Sequence, residues 1–444
     1  MLNTSLPSFM VRLLLTLFVI PAAFLFTTCS AVVTSRSSSS SAPEALGNKI
    51  YVPNVKSIVI GVPGKPFDDV ALLGQERLQI SFDLLGTDLK GNTIDADQAL
   101  YARIIHCNAN WKKSVLNELE YLYDYNEFPL NQYDFSFNTK IPYTHYTFTL
   151  PRVKVSGNYV LEVYTSNERK QVLFSKRFMM ARKRIPIDAE LVIATGASER
   201  RQNHQIDFTL NYGGLNISNP TAQIKIVLRQ NQQWFNAIKG LRPSFIREDQ
   251  QELEYRAMDL SNNFPAFNEY RFFDLRFTNT TGQNVEQINT DTAPISAKLL
   301  RDRSRYRQAY ASFNDMNGNF VVGNRETGGV LDADYINTFF SISSEKLDGE
   351  VYVTGDFFPG NNQPGFRLTY DSTQQVYRGD YLLKQGFYNY LYYVKSDVIP
   401  AFSLEGSHIE AENRYEVMVY TRSIEDNVDR LLGYTTLNSV QGRR

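Results

Sequence analysis

Few residues in this chain could carry chemistry. Its 444 residues include two cysteines, Cys29 and Cys107, and four histidines, His106, His145, His204 and His408. No Cys-x-x-Cys or His-Glu-x-x-His pattern joins them, so the usual ligand spacings for zinc are missing. His106 and Cys107 are neighbours in "ARIIHCN", and in a strand such neighbours point to opposite faces and cannot chelate one ion. No metal site is expected, and no disulfide framework. The charge balance is as uninformative as a catalyst-free surface would be: 46 Lys and Arg against 47 Asp and Glu leave a net charge of −1. A nucleic-acid partner would need a basic face or tail, and neither is present. There is no Gly-x-Ser-x-Gly elbow, no Gly-rich phosphate loop and no dinucleotide fingerprint. Catalytic residues and cofactors are therefore not assigned, and the chain reads as a non-enzyme.

Long amphipathic helical patterns are also scarce; the best of them, "FIREDQQELEYRA", has few apolar positions and competes with a loop reading. What the sequence has instead is strand material. Aromatic residues make up 13%, with 27 Tyr and 29 Phe against two Trp, a usage that suits pleated, half-buried surfaces. "IKIVLRQ" sets Ile224, Ile226 and Leu228 against Lys225 and Arg229, and "GNYVLEVYT" sets Tyr159, Leu161 and Val163 against Glu162. Both have the period of two that buries one face. The fold class is all-β.

Length predicts about three domains at roughly 150 residues each. Arg12 and the apolar run "LLLTLFVIPAAFLFTT" read as an export signal over residues 1–28, followed by a Ser-rich tether over 29–49. Cys29 stands where a bacterial lipoprotein is cleaved and acylated, which makes it the lipidation candidate; a plainly cleaved signal and a membrane anchor are the competing readings. Loss of Cys29 to a lipid leaves Cys107 unpaired, and a free thiol in an oxidising compartment survives best when buried. An immunoglobulin-like sandwich is expected over 50–183, a second sandwich over 184–297 and a third over 298–444.

Three further features were weighed for chemistry. "NDMNGNF" imitates a calcium loop, but with Gly318 at the sixth position Phe313 and Asn324 fall where carboxylates are required; a hairpin turn at Asn317 and Gly318 explains it. Asp332 and Asp334 form an acidic pair of a kind any surface carries, with nothing to single them out. The last unit is similar to glycogen- and starch-binding sandwiches through Leu383, Gly386, Tyr388 and Tyr390 in "LLKQGFYNY". It has no Trp for sugar stacking, so shared architecture is the firmer reading, with a carbohydrate-binding envelope lipoprotein as the alternative function. Trp111, Tyr388 and Tyr390 are candidate interface anchors; for Trp111, at the end of a strand, a sandwich cap is the favoured reading over the anchor.

"YVPNVKSIVIGVPGKPFDDVALLGQERLQISFDLLG", "YARIIHCNANWKKS", "YDFSFNTKIPYTHYTFTLP", "SGNYVLEVY", "NEYRFFDLR", "MNGNF" and "LLKQGFYNYLYYV" occur in this order. The series resembles the plug protein family of the bacterial type IX secretion system from about Tyr51 to about Tyr420. The resemblance implies a periplasmic, β-rich protein that closes the inner mouth of the outer-membrane translocon barrel when no cargo is present. Its partner would be that barrel. Membrane association would come from a lipid anchor or from the barrel, with no nucleic acid and no small-molecule substrate.

Overall fold

The computed structural model describes residues 45–86, 99–166, 171–358, 360, 365–422, 424–425 and 427–439. Cys29, the expected export signal and the Ser-rich tract fall outside these. Six sheets are found among the described residues, and they face one another in pairs around three apolar cores. The chain is all-β, and among the described residues α-helix is limited to the four-residue turns Glu118–Tyr121 and Pro220–Gln223. No described helix is long and apolar enough to cross a membrane.

The first sandwich is built around Gly157–Thr165, which pairs antiparallel with Val172–Ala181 on one side and Leu100–Cys107 on the other. The facing sheet runs Val55–Gly61, Gln79–Leu85, Tyr143–Thr149, Tyr133–Phe135. Alternate residues of both sheets, among them Phe82, Ile104, Leu161 and Phe174, fill the space between, each large side chain contributing about 1.5–3 kcal/mol by leaving water. Residues 46–49 were expected in the tether. They are instead part of this domain: Lys49–Ile50 pairs with Val172–Ala181, Leu46 N–H donates to Trp111 O at 2.9 Å, and Ser175 donates to Gly47 O at 2.6 Å.

The second sandwich sets Ile187–Ile193, Asn203–Asn211, Glu252–Tyr255 and Phe245–Arg247 against Ile238–Lys239, Ile224–Gln230, Arg414–Arg422 and Asp429–Asn438. "FIREDQQELEYRA" is thus a hairpin, Phe245–Arg247 paired with Glu252–Tyr255, and not a helix. Its apolar residues alternate and have no helical stripe to bury. In the third sandwich Arg271–Asp274, Gly386–Lys395, Glu350–Thr354 and Phe366–Arg367 face a sheet ordered Val285–Asn289, Ile295–Leu299, Tyr335–Ser343, Val376–Lys384, Thr369–Asp371.

Strand pairing groups the later residues differently from the expected 184–297 and 298–444 segments. The chain leaves the second sandwich after Asn263–Pro265, which pairs with Asn203–Asn211, and enters the third at Arg271–Asp274, which pairs with Gly386–Lys395. It returns at Arg414–Arg422, which pairs with Ile224–Gln230. The third sandwich is an insertion in the second. Local sequence marks a strand well but carries no mark of a partner almost 200 residues away.

Candidate functional site

The residues singled out in the sequence lie in the interior. Trp111 is 1% exposed, Tyr388 1% and Tyr390 3%, so none of them can anchor an outside partner, and the interface expectation gives way to packing roles. Tyr388 stacks between Phe273 and Phe320. Tyr390 donates to Asp302 at 2.7 Å. Trp111 has a left-handed backbone, φ 64°, a conformation that a bulky residue keeps only when its surroundings hold it. Trp234 meets it edge to face at 5.0 Å and the Arg177 guanidinium lies 4.4 Å above its ring. It is a cap, and it caps a joint between two sandwiches.

The histidines are dispersed. His106 sits in the first core, with Nδ1 2.8 Å from the Ser114 hydroxyl; Cys107, on the opposite face, packs among Val160, Met179 and Met418. Burial pushes the Cys107 thiol up to about 12, which makes it a poor nucleophile. His204 is held by Tyr415 and Ile409 O, each at 2.7 Å. Among the described residues no three His, Cys, Asp or Glu stand in a metal-holding group. Asp334 is spent on the backbone N–H groups of Lys140 and Ile141, at 2.6 and 3.2 Å, so the Asp332–Asp334 pair belongs to a joint and not to a catalytic cleft. Asn317 and Gly318 form a turn with φ of 53° and 90°, leading into Phe320–Val322; it does not join two paired strands.

Two seams join the first sandwich to the others. Between the first and second, the outer faces of two sheets meet over Val70, Cys107, Val160, Met179, Val227, Met418 and Tyr420. Fully buried Arg229 crosses this seam to Asp69, through two bonds of 2.8 and 2.6 Å, and also holds Glu416 at 2.5 Å within its own sandwich. Between the first and third, a bulge in Val55–Gly61 at Ser57, φ 51°, turns its hydroxyl to within 2.8 Å of Tyr335 Oη. Buried Asp83 then accepts from Tyr335 and from Lys384, both at 2.7 Å, and lies 2.6 Å from His145 Nδ1. Burial alone would raise the Asp83 carboxyl, but the His145 hydrogen bond and the Lys384 charge outweigh it and hold the carboxyl below its usual range. Its partners are geometrically complete, which suits a clamp and leaves no group poised for proton transfer.

The exposed apolar residues mark something else. Residues 115–137 run along the free edge of Leu100–Cys107, where Phe128–Pro129 pairs with it, and then cross to the edge of the facing sheet, where Tyr133–Phe135 pairs with Tyr143–Thr149. Along this path Val115, Leu119, Tyr123 and Tyr125 are 64–79% exposed. Tyr133, Phe135 and Phe137 follow at alternate positions, each more than half exposed. They make an aromatic ridge down one side of the first sandwich, and Tyr133–Phe135 is an edge strand whose outer side pairs with no other strand among the described residues. Soluble proteins usually protect such edges with charge or proline and rarely leave an apolar strip of this kind bare. The sequence signal was present in "ELEYLYDYNEFPLNQYDFSF": aromatics too dense and irregular for one buried face. Asp83 in "ISFDLLG" and Lys384 in "YLLKQGF" were legible only as charges out of place in apolar runs.

No curated protein matches the sequence. A crystal structure of a hypothetical protein from Parabacteroides merdae ATCC 43184 is similar over 89% of this chain and 100% of that one, with 26% identity and a TM-score of 0.81. The C-terminal domain of the Streptococcus pyogenes antigen I/II-family protein AspA aligns over 87% of this chain and 99% of that one, at 7% identity and a TM-score of 0.18, too low to carry an argument. Residues 55–182, which contain the whole ridge and nearly all of the first sandwich, match the family model of the type 9 secretion system plug protein 1st domain. That match, over the first sandwich, supports the type 9 secretion system plug protein family.

Proposed function

We propose that this protein is a non-enzymatic stopper of the secretion machinery, occupying the periplasmic opening of the outer-membrane translocon barrel while no cargo passes. The aromatic ridge on the first sandwich carries the reading: an exposed apolar strip beside an open strand edge, in the domain that the family match covers, is the surface a β-rich partner would cover. The buried seams support it, because a stopper works by shape and must not yield when pushed. Tyr and Phe contacts of this kind give moderate, reversible association. Cys29 acylation would hold the exported protein at the outer membrane between such encounters.

The test replaces Leu119, Tyr125 and Phe135 together by Ser in the full chain. Exposed substitutions leave stability within about 0.5 kcal/mol per site, so the variant folds, yet it should no longer co-purify with the barrel and should make the outer membrane as permeable as deletion does. Retained barrel association with a tight membrane would remove the ridge from the contact. In a separate arm, Cys29→Ser should release the protein from membrane pellets of cells that lack the barrel.

A further inference from the structure

Away from its seam at Tyr335, Leu382 and Lys384, the outer sheet face of the third sandwich is open, and neutral polar side chains stand there among its charges. A solvent face of a sheet normally carries long charged side chains. On the central strand Tyr335–Ser343 the outward residues are Asn337, Phe339 and Ser341, while Ile336, Phe340 and Ile342 point into the core. Phe339, 42% exposed, has Lys298 and Asp380 as its cross-strand neighbours. Around it stand amide and hydroxyl groups from four other strands or their ends: Gln287, Asn289, Ser296, Thr369 and Gln374. The groove they form holds about 850 Å³, within the range of small-ligand sites.

The charges here cancel. Lys298 is paired with Glu286 at 2.9 Å and Arg378 with Asp371 at 3.0 Å, and the remaining pair, Arg301 and Asp380, is one of each sign. An anionic polymer or a lipid headgroup surface would find no net positive field. A protein partner would be expected to find several apolar anchors, whereas one ring is present. One half-exposed ring, flanked by the opposite charges of Lys298 and Asp380 and set among neutral donors and acceptors, fits a molecule that has both a C–H face and many hydroxyls. We propose that this outer face binds a neutral oligosaccharide, with one sugar ring stacked on Phe339 and its neighbours bonded to the surrounding amides and hydroxyls. The groove is open, so a linear chain of several units would lie along it. Binding through one ring and exchangeable hydrogen bonds is weak, which suits a tether to a polymer and not the capture of a nutrient.

The purified full-length protein is titrated with neutral hexasaccharides of α-1,4-, β-1,4- and β-1,3-linked glucose and of β-1,4-linked mannose, by calorimetry and by saturation-transfer NMR. At least one should bind, with saturation transfer from aromatic protons. Phe339→Ala should weaken that ligand by at least about tenfold with an unchanged unfolding midpoint, and Gln287→Ala by a smaller factor. Absence of binding by the whole panel at about 10 mM, a range that would register even the weakest specific sites, overturns the proposal. So does binding that Phe339→Ala leaves intact, or binding confined to a sulfated glycan control and abolished by salt. The ridge lies on the first sandwich, so these outcomes are independent of its contact with the secretion barrel.

Discussion

The two seams of the first sandwich solve the same problem by different means. The seam with the second is a sheet-on-sheet contact whose apolar residues form a core of their own, with Arg229 as a charged pin through it. The seam with the third has a smaller apolar centre, Leu85, Tyr143, Tyr335 and Leu382, and relies on Asp83, Lys384, Tyr335 and His145 to fix it. An apolar seam tolerates small shifts, because dispersion and burial are non-directional. A polar clamp has one good geometry and costs heavily when any member is missing. The first seam therefore supplies stability, and the second supplies a fixed placement of the inserted sandwich.

Breaking the pins orders the two. Arg229→Met should cost about 5 kcal/mol, the upper end for removing one member of a buried ionic group, because it strands two carboxylates, Asp69 and Glu416; denaturant unfolding of the variant measures this. Trp111→Ala, at the rim of the same seam, should cost about 3–5 kcal/mol through the cavity left beside Trp234 and Arg177. Lys384→Met should cost about 3 kcal/mol, since Asp83 keeps Tyr335 and His145, and it should raise protease sensitivity at residues 136–142 before global unfolding. The double variant Asp83→Leu, Lys384→Met sharpens the contrast: with both charges gone it should lie within about 1 kcal/mol of wild type or above it, while the single variant does not.

The last effect concerns pH at the crossing into the third sandwich. Asp315 accepts from Asn317 N–H at 2.7 Å and from Tyr270 N–H, yet burial pushes its carboxyl up to about 7 against those bonds. Its folded value lies above its unfolded one near 3.9, so the protonated form is the one folding favours. Its contribution is present below about pH 4 and is lost as pH rises through about 7, at no more than about 1.4 kcal/mol per pH unit. Asp83 and Glu405, held low by their cationic partners after burial is offset, act in the other direction and lose their contribution only under strong acid. Between pH 5 and 8 the unfolding midpoint should fall with rising pH, and Asp315→Asn should flatten that slope. A slope unchanged by Asp315→Asn would assign the titration elsewhere.

Much of the fold was open to reading. "GNYVLEVYT" is a strand from Gly157 to Thr165, and the alternation in "IKIVLRQ" does put Ile224, Ile226 and Leu228 into one core. The reading failed where two outward faces meet. Glu162 and Arg229 occupy the polar positions of their strands and should face water, yet Glu162 is 8% exposed, paired with Arg103 at 2.6 Å, and Arg229 is 0% exposed. Nor does period-two alternation by itself distinguish the buried tyrosines at 388 and 390 from the exposed aromatics at 133 and 135. All four stand at alternate positions of aromatic-rich strands.

What the sequence determined by itself was the local grammar: period-two alternation, aromatic and β-branched content and turn residues, which together dictate strands with one apolar face, because such a face must leave water wherever the chain finds a partner for it. Which face meets which was decided only by tertiary structure. Long-range pairing put Arg414–Arg422 beside Ile224–Gln230, made the third sandwich an insertion, and turned the outer sides of two sheets into a buried seam. That choice depends on burying whole faces against each other at once, a sum over many weak contacts between distant residues, and no single stretch of the chain contains it.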